Sequence, residues 1–425
     1  MKPADSRGEY PVTEETGERR CRFCRTPLMY TFVDLGVSPL SNSYLDPEDL
    51  VKMEPFYPLH VYVCHECFLV QLEEMSSPED IFCEYAYFSS FSESWLEHAR
   101  HYTRLAVQRF NLDHSSRVVE IGSNDGYLLR YFKELGIPVL GIEPASNVVE
   151  SAREEGIETI ARFFDSALAE ELVGAGRQAD LVVGNNVLAH IPDTNDLMQG
   201  LKALLKPDGV VSMEFPHLLS LIEENQFDTI YHEHYSYFSL TTAERIFGAH
   251  GLLLYDAELL RTHGGSLRIY ACRDEDQVCM QTGRLKELLD NEEKNGLKEL
   301  NTYLDFENKA RQSKYEILKF LIGAKKEGRT ICGYGAPAKG NTLLNYCGIG
   351  PEFIDYTVDI NPHKQGRYLP GSRIPIYEPE RIFETRPDYL LILPWNLKQE
   401  IMAQMEGIRK WGGRFVTLIP EVEIS

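Results

Sequence analysis

At 425 residues the chain is longer than one core comfortably serves, so about three domains are expected. Hydrophobic residues at 43% and charged residues at 25% are ordinary for a soluble globular protein, and no apolar run reaches the roughly 18 residues of a membrane helix. A formal charge of −22 argues against nucleic acid or an anionic membrane as partner, while a small anionic substrate stays compatible where lysines or helix N-termini reverse the field locally.

Residues 1–20 are polar and Glu-rich, which predicts disorder; with no apolar signal core there, the cytoplasm is the default location. Cys21-Arg22-Phe23-Cys24 and Cys64-His65-Glu66-Cys67 then bracket a segment with strand-like alternation over Tyr57–Val63. Four thiolates in two knuckles, Cys21, Cys24, Cys64 and Cys67, predict a structural tetrahedral Zn2+ in a ribbon-like module over 21–80, although the 39-residue gap is long for a zinc finger. A closed four-thiolate shell leaves no open position for chemistry.

A bridge follows, loop-like at Tyr85–Ser90 and helical from Trp95 to Phe110. Val118-Val119-Glu120-Ile121-Gly122-Ser123-Asn124-Asp125-Gly126 then reads as a buried strand, a glycine turn and a helix start, where free backbone N–H groups meet a ligand. Its Gly-x-x-x-Gly spacing lacks the third glycine of a dinucleotide fingerprint, and Glu143 closes the next apolar run about twenty residues on, where a carboxylate holds ribose hydroxyls. Glu120, Gly122, Ser123, Asn124, Gly126 and Glu143 are therefore candidate S-adenosylmethionine contacts; the alternative is a purely structural turn. Strands at Asp180–Gly184 and Gly209–Glu214, then Leu252–Tyr255 and Ser266–Ala271 pairing antiparallel at an edge, complete one sheet over 81–279.

Residues 280–325 have the spacing of a long amphipathic connector, and 326–425 read as a second α/β unit. Its Gly333-Tyr334-Gly335 turn precedes Lys339 near a helix start, so Gly335, Lys339 and Asn341 are candidate contacts to a diphosphate, against a structural turn with a solvated lysine. Phe353–Val358, Tyr389–Leu393 and Arg414–Ile419 are its further strands.

Chemistry concentrates at two places. Asn185 and Asn186 lie at the carboxyl end of a strand, where open α/β sheets bind ligands, with Asn185 expected at the cofactor and Asn186 and His190 at the substrate. His190 equally fits a satisfied histidine at a helix start. Tyr231-His232-Glu233-His234-Tyr235-Ser236-Tyr237-Phe238 packs titratable groups densely enough to suggest proton transfer, over the rivals of a weak His-Glu-His metal site or plain aromatic packing. An extended chain would put His232 and His234 on one face; a turn would void that parity.

From Cys21 to the C-terminus these motifs, with His263-Gly264-Gly265-Ser266-Leu267-Arg268, Gly-Tyr-Gly-Ala-Pro-Ala-Lys-Gly and Val358-Asp359-Ile360-Asn361-Pro362-His363-Lys364-Gln365-Gly366, resemble the nucleotide-sugar C-methyltransferases of the tetronitrose-pathway C-3′ type. The resemblance implies an α/β protein of three parts: an N-terminal zinc-ribbon-like module, a central Rossmann-like class I methyltransferase domain, and a C-terminal Rossmann-like domain that helps hold a nucleotide-linked, expectedly dTDP-linked, sugar. It places Tyr231, Glu233 and His234 in the active-site segment, with Tyr85 and His190 at further catalytic positions.

Methylating carbon requires a carbanion, which a base generates beside a ketone. The expected chemistry is removal of the C-3′ proton of a 4-keto-deoxysugar by His234, with Tyr231, His190 and Tyr85 as donors to the oxyanion and Glu233 orienting a ring or binding the substrate. The rivals are an O- or N-methyltransferase, a non-catalytic zinc-ribbon interaction protein, and an NAD-dependent oxidoreductase built on the second glycine loop, which shows no convincing acidic partner. A monomer is compatible with the sequence.

Overall fold

The computed structural model describes residues 19–75, 77, 89–91, 93–276 and 279–425. Most of the disorder expected over 1–20 therefore lies outside the described residues, as does Tyr85. Arg19 and Arg20 are ordered: Arg19 pairs with Glu73 at 2.5 Å and Arg20 bridges to Pro27.

Strands β1 (Tyr30–Ser38), β2 (Tyr57–Val63) and β3 (Val70–Leu72) form an antiparallel meander beside the cysteine knuckles. The central sheet begins with β4 (Val118–Ile121), β5 (Val139–Ile142), β6 (Thr159–Ile160), β7 (Ala179–Asn185) and β8 (Leu205–Pro216). The chain then returns to the first sheet: β9 (Ser236–Tyr237) pairs with β3, Val70 opposite Tyr237. Strands β10 (Leu252–Leu260) and β11 (Ser266–Arg273) close the central sheet antiparallel, giving the order β10-β11-β8-β7-β4-β5-β6. Its strand order reverses between β4 and β7, the place where open α/β sheets leave a crevice for ligands.

The third sheet contains β12 (Ile331–Tyr334), β13 (Thr357–Val358), β14 (Ile376–Tyr377), β15 (Tyr389–Ile392), β16 (Arg414–Thr417) and β17 (Glu423–Ile424), in the order β14-β13-β12-β15-β16-β17. Sequence reading missed β14 and β17, two-residue edge strands too short to leave a pattern. Between β12 and β15 lies a second reversal point, with Gly335 on one side and Pro394 on the other.

The segment expected to be a long connector is instead three helices, Gly283–Lys294, Leu300–Leu304 and Phe306–Lys326, and they are packed rather than bridging. Phe306 stacks on Phe32 of β1 at 4.5 Å, and both rings are fully buried. Each such side chain contributes roughly 1.5–3 kcal/mol of burial. One core cluster therefore runs from β1 and β2 through these helices into β12 and β15, so the N-terminal sheet and the third sheet share apolar packing. Among the described residues no helix is long and apolar enough to cross a membrane. Cys272 and Cys279 are joined as a disulfide.

Candidate active site

The crevices of both α/β sheets open into one cavity of about 1260 Å³, whose wall the N-terminal module completes with Asn42. At the first crevice Gly122 adopts φ +65°, and an added Cβ would lie 2.9 Å from Val187, so only glycine keeps this turn unstrained. Glu143, at the end of β5, accepts Asn124 N–H and Ala145 N–H, both at 3.0 Å, one on each carboxylate oxygen. Each oxygen has a second lone-pair site, the acceptor set a ribose diol requires. Burial pushes this carboxyl above its ordinary value, against the pull of the two N–H groups.

Gly122, Asn124, Glu143 and Asn185 line the cavity, and Asn185 also reaches the Tyr127 hydroxyl at 3.4 Å. Asn185 Oδ1 is buried with no hydrogen-bond partner among the described residues, and a cofactor N–H or O–H fits it. Glu120, Ser123 and Gly126, expected at the cofactor, are not lining residues. Glu120 is fully buried beneath the turn beside Tyr127, with its carboxyl pushed well above the usual range by burial, and Ser123 packs against Gly141 of β5.

Across the cavity the segment after Ile230 turns rather than extends: His234 N–H donates to Tyr231 O at 2.9 Å, which voids the parity argument. His232 points away, its Nε2 3.2 Å from Pro58 O and its ring edge-on to Tyr57. His234 lines the cavity with Tyr231, Glu233 and His190. Its Nδ1 donates to Thr229 O at 2.9 Å, because a carbonyl only accepts; Nε2 is thereby left as the basic nitrogen. Burial holds the His234 pKa well below the ordinary histidine value, with His190 adding to the effect, and burial lowers His190 itself to about 4. The two rings meet edge-on at 4.8 Å, and Tyr231 lies 4.0 Å from His234 between centroids. Glu233 is fixed by Asn42, whose amide donates at 2.5 Å.

The second crevice contributes Lys339, whose Nζ donates to Asn396 at 2.9 Å and sits 4.5 Å from the centre of the Trp395 ring. Trp395 Nε1–H in turn donates to Asp228 at 2.7 Å, and burial raises the Asp228 carboxyl to about 6 while Lys339 opposes the rise. Gly335 and Asn341 do not line the cavity. Gly335 sits against Pro394, and the Asn341 amide is spent on Ser41 O at 2.6 Å. The acidic partner not found in the sequence is Asp359, after β13: it accepts Ala336 N–H at 2.7 Å and Asn361 N–H at 2.8 Å, much as Glu143 serves the first loop. It also lies 3.8 Å from Lys364, so its charge is already paired.

The four cysteine sulfurs lie within 4.8 Å of one another, with Cys21–Cys67 and Cys24–Cys64 at 3.5 Å. Four sulfurs about 2.3 Å from one tetrahedral ion would stand about 3.8 Å apart, so the set fits zinc. Both knuckles share one shape, the residue after the second cysteine turning left-handed at Arg25 (φ 64°) and Phe68 (φ 61°).

Asn42, Asp228, His263, Lys364 and Trp395 were not assigned roles from sequence. His263 and Lys364 stood inside quoted motifs and Asp228 just outside one, whereas Asn42 and Trp395 carry no local signal.

Known proteins resemble this chain over most of its length. Residues 21–82 match a zinc binding domain family, 95–256 a methyltransferase domain family and 261–420 the family described as C-methyltransferase C-terminal domain. The C-methyltransferase NovU of Streptomyces niveus is 38% identical over 404 residues, covering 95% of this chain and 96% of that protein. The chain belongs to the C-methyltransferase family. It is an S-adenosylmethionine-dependent enzyme with a zinc-binding N-terminal module. The ubiquinone biosynthesis O-methyltransferase of Haemophilus ducreyi matches only locally, 30% identical over 101 residues that cover 22% of this chain and 43% of that one. Among solved structures, the magnesium protoporphyrin IX methyltransferase of Synechocystis with bound cofactor covers 42% of this chain and 79% of its own at 17% identity and a TM-score of 0.33.

Proposed function

We propose that this C-methyltransferase acts at C-3′ of a nucleotide-linked 4-keto-deoxysugar, expectedly the dTDP form, through an enolate that His234 generates. The supporting observation is the pinned His234 ring, its Nδ1 spent on Thr229 O, inside a cavity shared with the cofactor loop. The residues have separable tasks. His234 Nε2 takes the C-3′ proton. Tyr231 and His190 flank that ring and donate to the sugar oxygen as it gains charge, while Glu233, held by Asn42, orients a hydroxyl or amine of the sugar. Lys339 faces the diphosphate, supported by Asn396 and Trp395.

Bound S-adenosylmethionine supplies an electrophilic methyl group; Gly122, Asn124, Glu143 and Asn185 are the residues that would hold it. Because the donor is already activated, alignment and proton removal are what remain for the protein, and a positioned base contributes about 10²–10⁴-fold. The test is His234→Ala with a panel of nucleotide 4-keto-6-deoxysugars. Cofactor binding should persist while methyl transfer and C-3′ deuterium exchange are lost; exchange at the wild-type rate would exclude His234 as the base. Locating the new methyl by NMR on oxygen or nitrogen would overturn the carbon assignment.

A further inference from the structure

The reaction as derived makes no use of His263-Gly264-Gly265-Ser266-Leu267-Arg268, although the structure invests heavily in it. The turn joins β10 to β11, and three consecutive residues stand at positive φ: His263 at 54°, Gly264 at 90° and Gly265 at 116°. For a histidine that conformation is uncommon and persists only where the surroundings over-determine it.

Here they do. Trp395 fills the space a Cβ on Gly264 would need, and Ser220 does the same at Gly265. Gln226 donates to Gly264 O at 2.7 Å, and the Ser266 hydroxyl donates to Thr262 O at 3.0 Å. Thr262 donates to Glu214 at 2.8 Å, while the other Glu214 oxygen takes Arg268 at 2.5 Å and His98 at 2.8 Å. Glu214 and Arg268 are both buried, an ion pair placed directly under the turn.

What this scaffold presents is the ring of His263. It lines the same cavity as His234, with Trp95 edge-on at 5.0 Å. Asn186, itself left-handed at φ 56° at the end of β7, lies with its amide 2.9 Å from His263 Nε2. Two strained non-glycine residues, one from each side of the crevice, thus join side chains where substrate and cofactor must meet. Burial holds the ring neutral, its pKa lowered to about 4, so it offers one N–H donor and places no positive charge beside a cationic methyl donor.

We propose that His263 is a further catalytic residue, donating a ring N–H hydrogen bond to the sugar carbonyl oxygen as it gains enolate charge, with Asn186 fixing which nitrogen carries the proton. This rests on the keto-sugar reading above. No bond is made or broken at His263; the C-3′ proton still goes to His234.

The experiment compares wild type, His263→Ala, His263→Asn and His234→Ala as full-length chains, with a dTDP-linked 4-keto-6-deoxyhexose as probe. C-3′ deuterium exchange, kcat, sugar KM, cofactor affinity and Tm are measured. Loss of one oxyanion donor typically costs 10²–10³-fold in rate. His263→Ala should therefore slow exchange and kcat about 100-fold or more, with sugar KM and cofactor affinity within about fivefold of wild type. His263→Asn should recover at least tenfold over Ala, since asparagine donates a hydrogen bond and tolerates positive φ. Exchange within threefold of wild type in His263→Ala, or equal losses of rate and Tm in the Ala and Asn variants, overturns the proposal. If His234→Ala exchanges normally, the enolate reading fails instead.

Discussion

Replacing Glu143 tests the cofactor site most directly. Each of its carboxylate oxygens already accepts one backbone N–H at 3.0 Å and keeps one lone-pair site for a ribose hydroxyl. A hydrogen bond to a charged group contributes about 1.5–3 kcal/mol net. Two would give about 3–6 kcal/mol, and the lower end applies because the carboxylate must stay charged in a buried place. At 1.4 kcal/mol per factor of ten, Glu143→Ala should weaken S-adenosylmethionine binding about 10²- to 10³-fold. Glu143→Gln keeps the shape but turns an NH₂ toward one backbone N–H, and should cost at least about tenfold. Calorimetric titration with S-adenosylmethionine and S-adenosylhomocysteine reads both variants on one scale. A sign follows for pH: burial raises the Glu143 pKa, so affinity should fall as pH drops through that raised value, above the ordinary carboxylate range. A Kd for Glu143→Ala within threefold of wild type refutes the ribose assignment.

Three further outcomes are expected. Lys339→Ala should raise the KM for the nucleotide sugar about 10- to 100-fold with little change in kcat, by steady-state kinetics, since one charge-assisted phosphate contact contributes about 1.5–3 kcal/mol; an unchanged KM removes Lys339 from the diphosphate. Because burial lowers the His234 pKa, the neutral base persists to more acidic pH, and the acid limb of kcat/KM should lie below the ordinary histidine value near 6.5; an inflection at about 6.5 in the pH–rate profile contradicts this environment. Cys64→Ser should lose zinc by metal analysis and lower Tm, because a structural zinc supplies on the order of 10 kcal/mol to its module; a zinc-free protein with unchanged Tm denies the metal its structural part.

Much of the site was legible because it sits on strand ends. Buried runs such as Val118–Ile121 announce strands, and glycines or acids just after them announce ligands, so Gly122, Glu143 and Asn185 could be found by counting. His234 could be found but not separated from His232, since the deciding fact is a turn closed by Tyr231 O. Asn42 and Trp395 reach the site from distant parts of the chain, and nothing in their neighbours marks them, whereas Asp228 stands three residues before Tyr231, just outside the motif. Gly335 and Asn341 carry the motif but do not line the cavity, because their backbone and amide groups are used to build the crevice wall. The connector misled because amphipathic spacing reports that a helix has an apolar face and leaves open what covers it; here the cover is β1.

The pairing of β3 with β9 bears on how this chain is made. Leu72 and Tyr237 are separated by about 165 residues, so the first sheet is complete only after the ribosome has passed His234. At about 5–20 residues per second that is a wait of roughly 8–30 s, during which the nascent metal-binding segment carries an open edge. Early capture of the ion by the cysteine knuckles would hold that segment in shape until its last strand arrives.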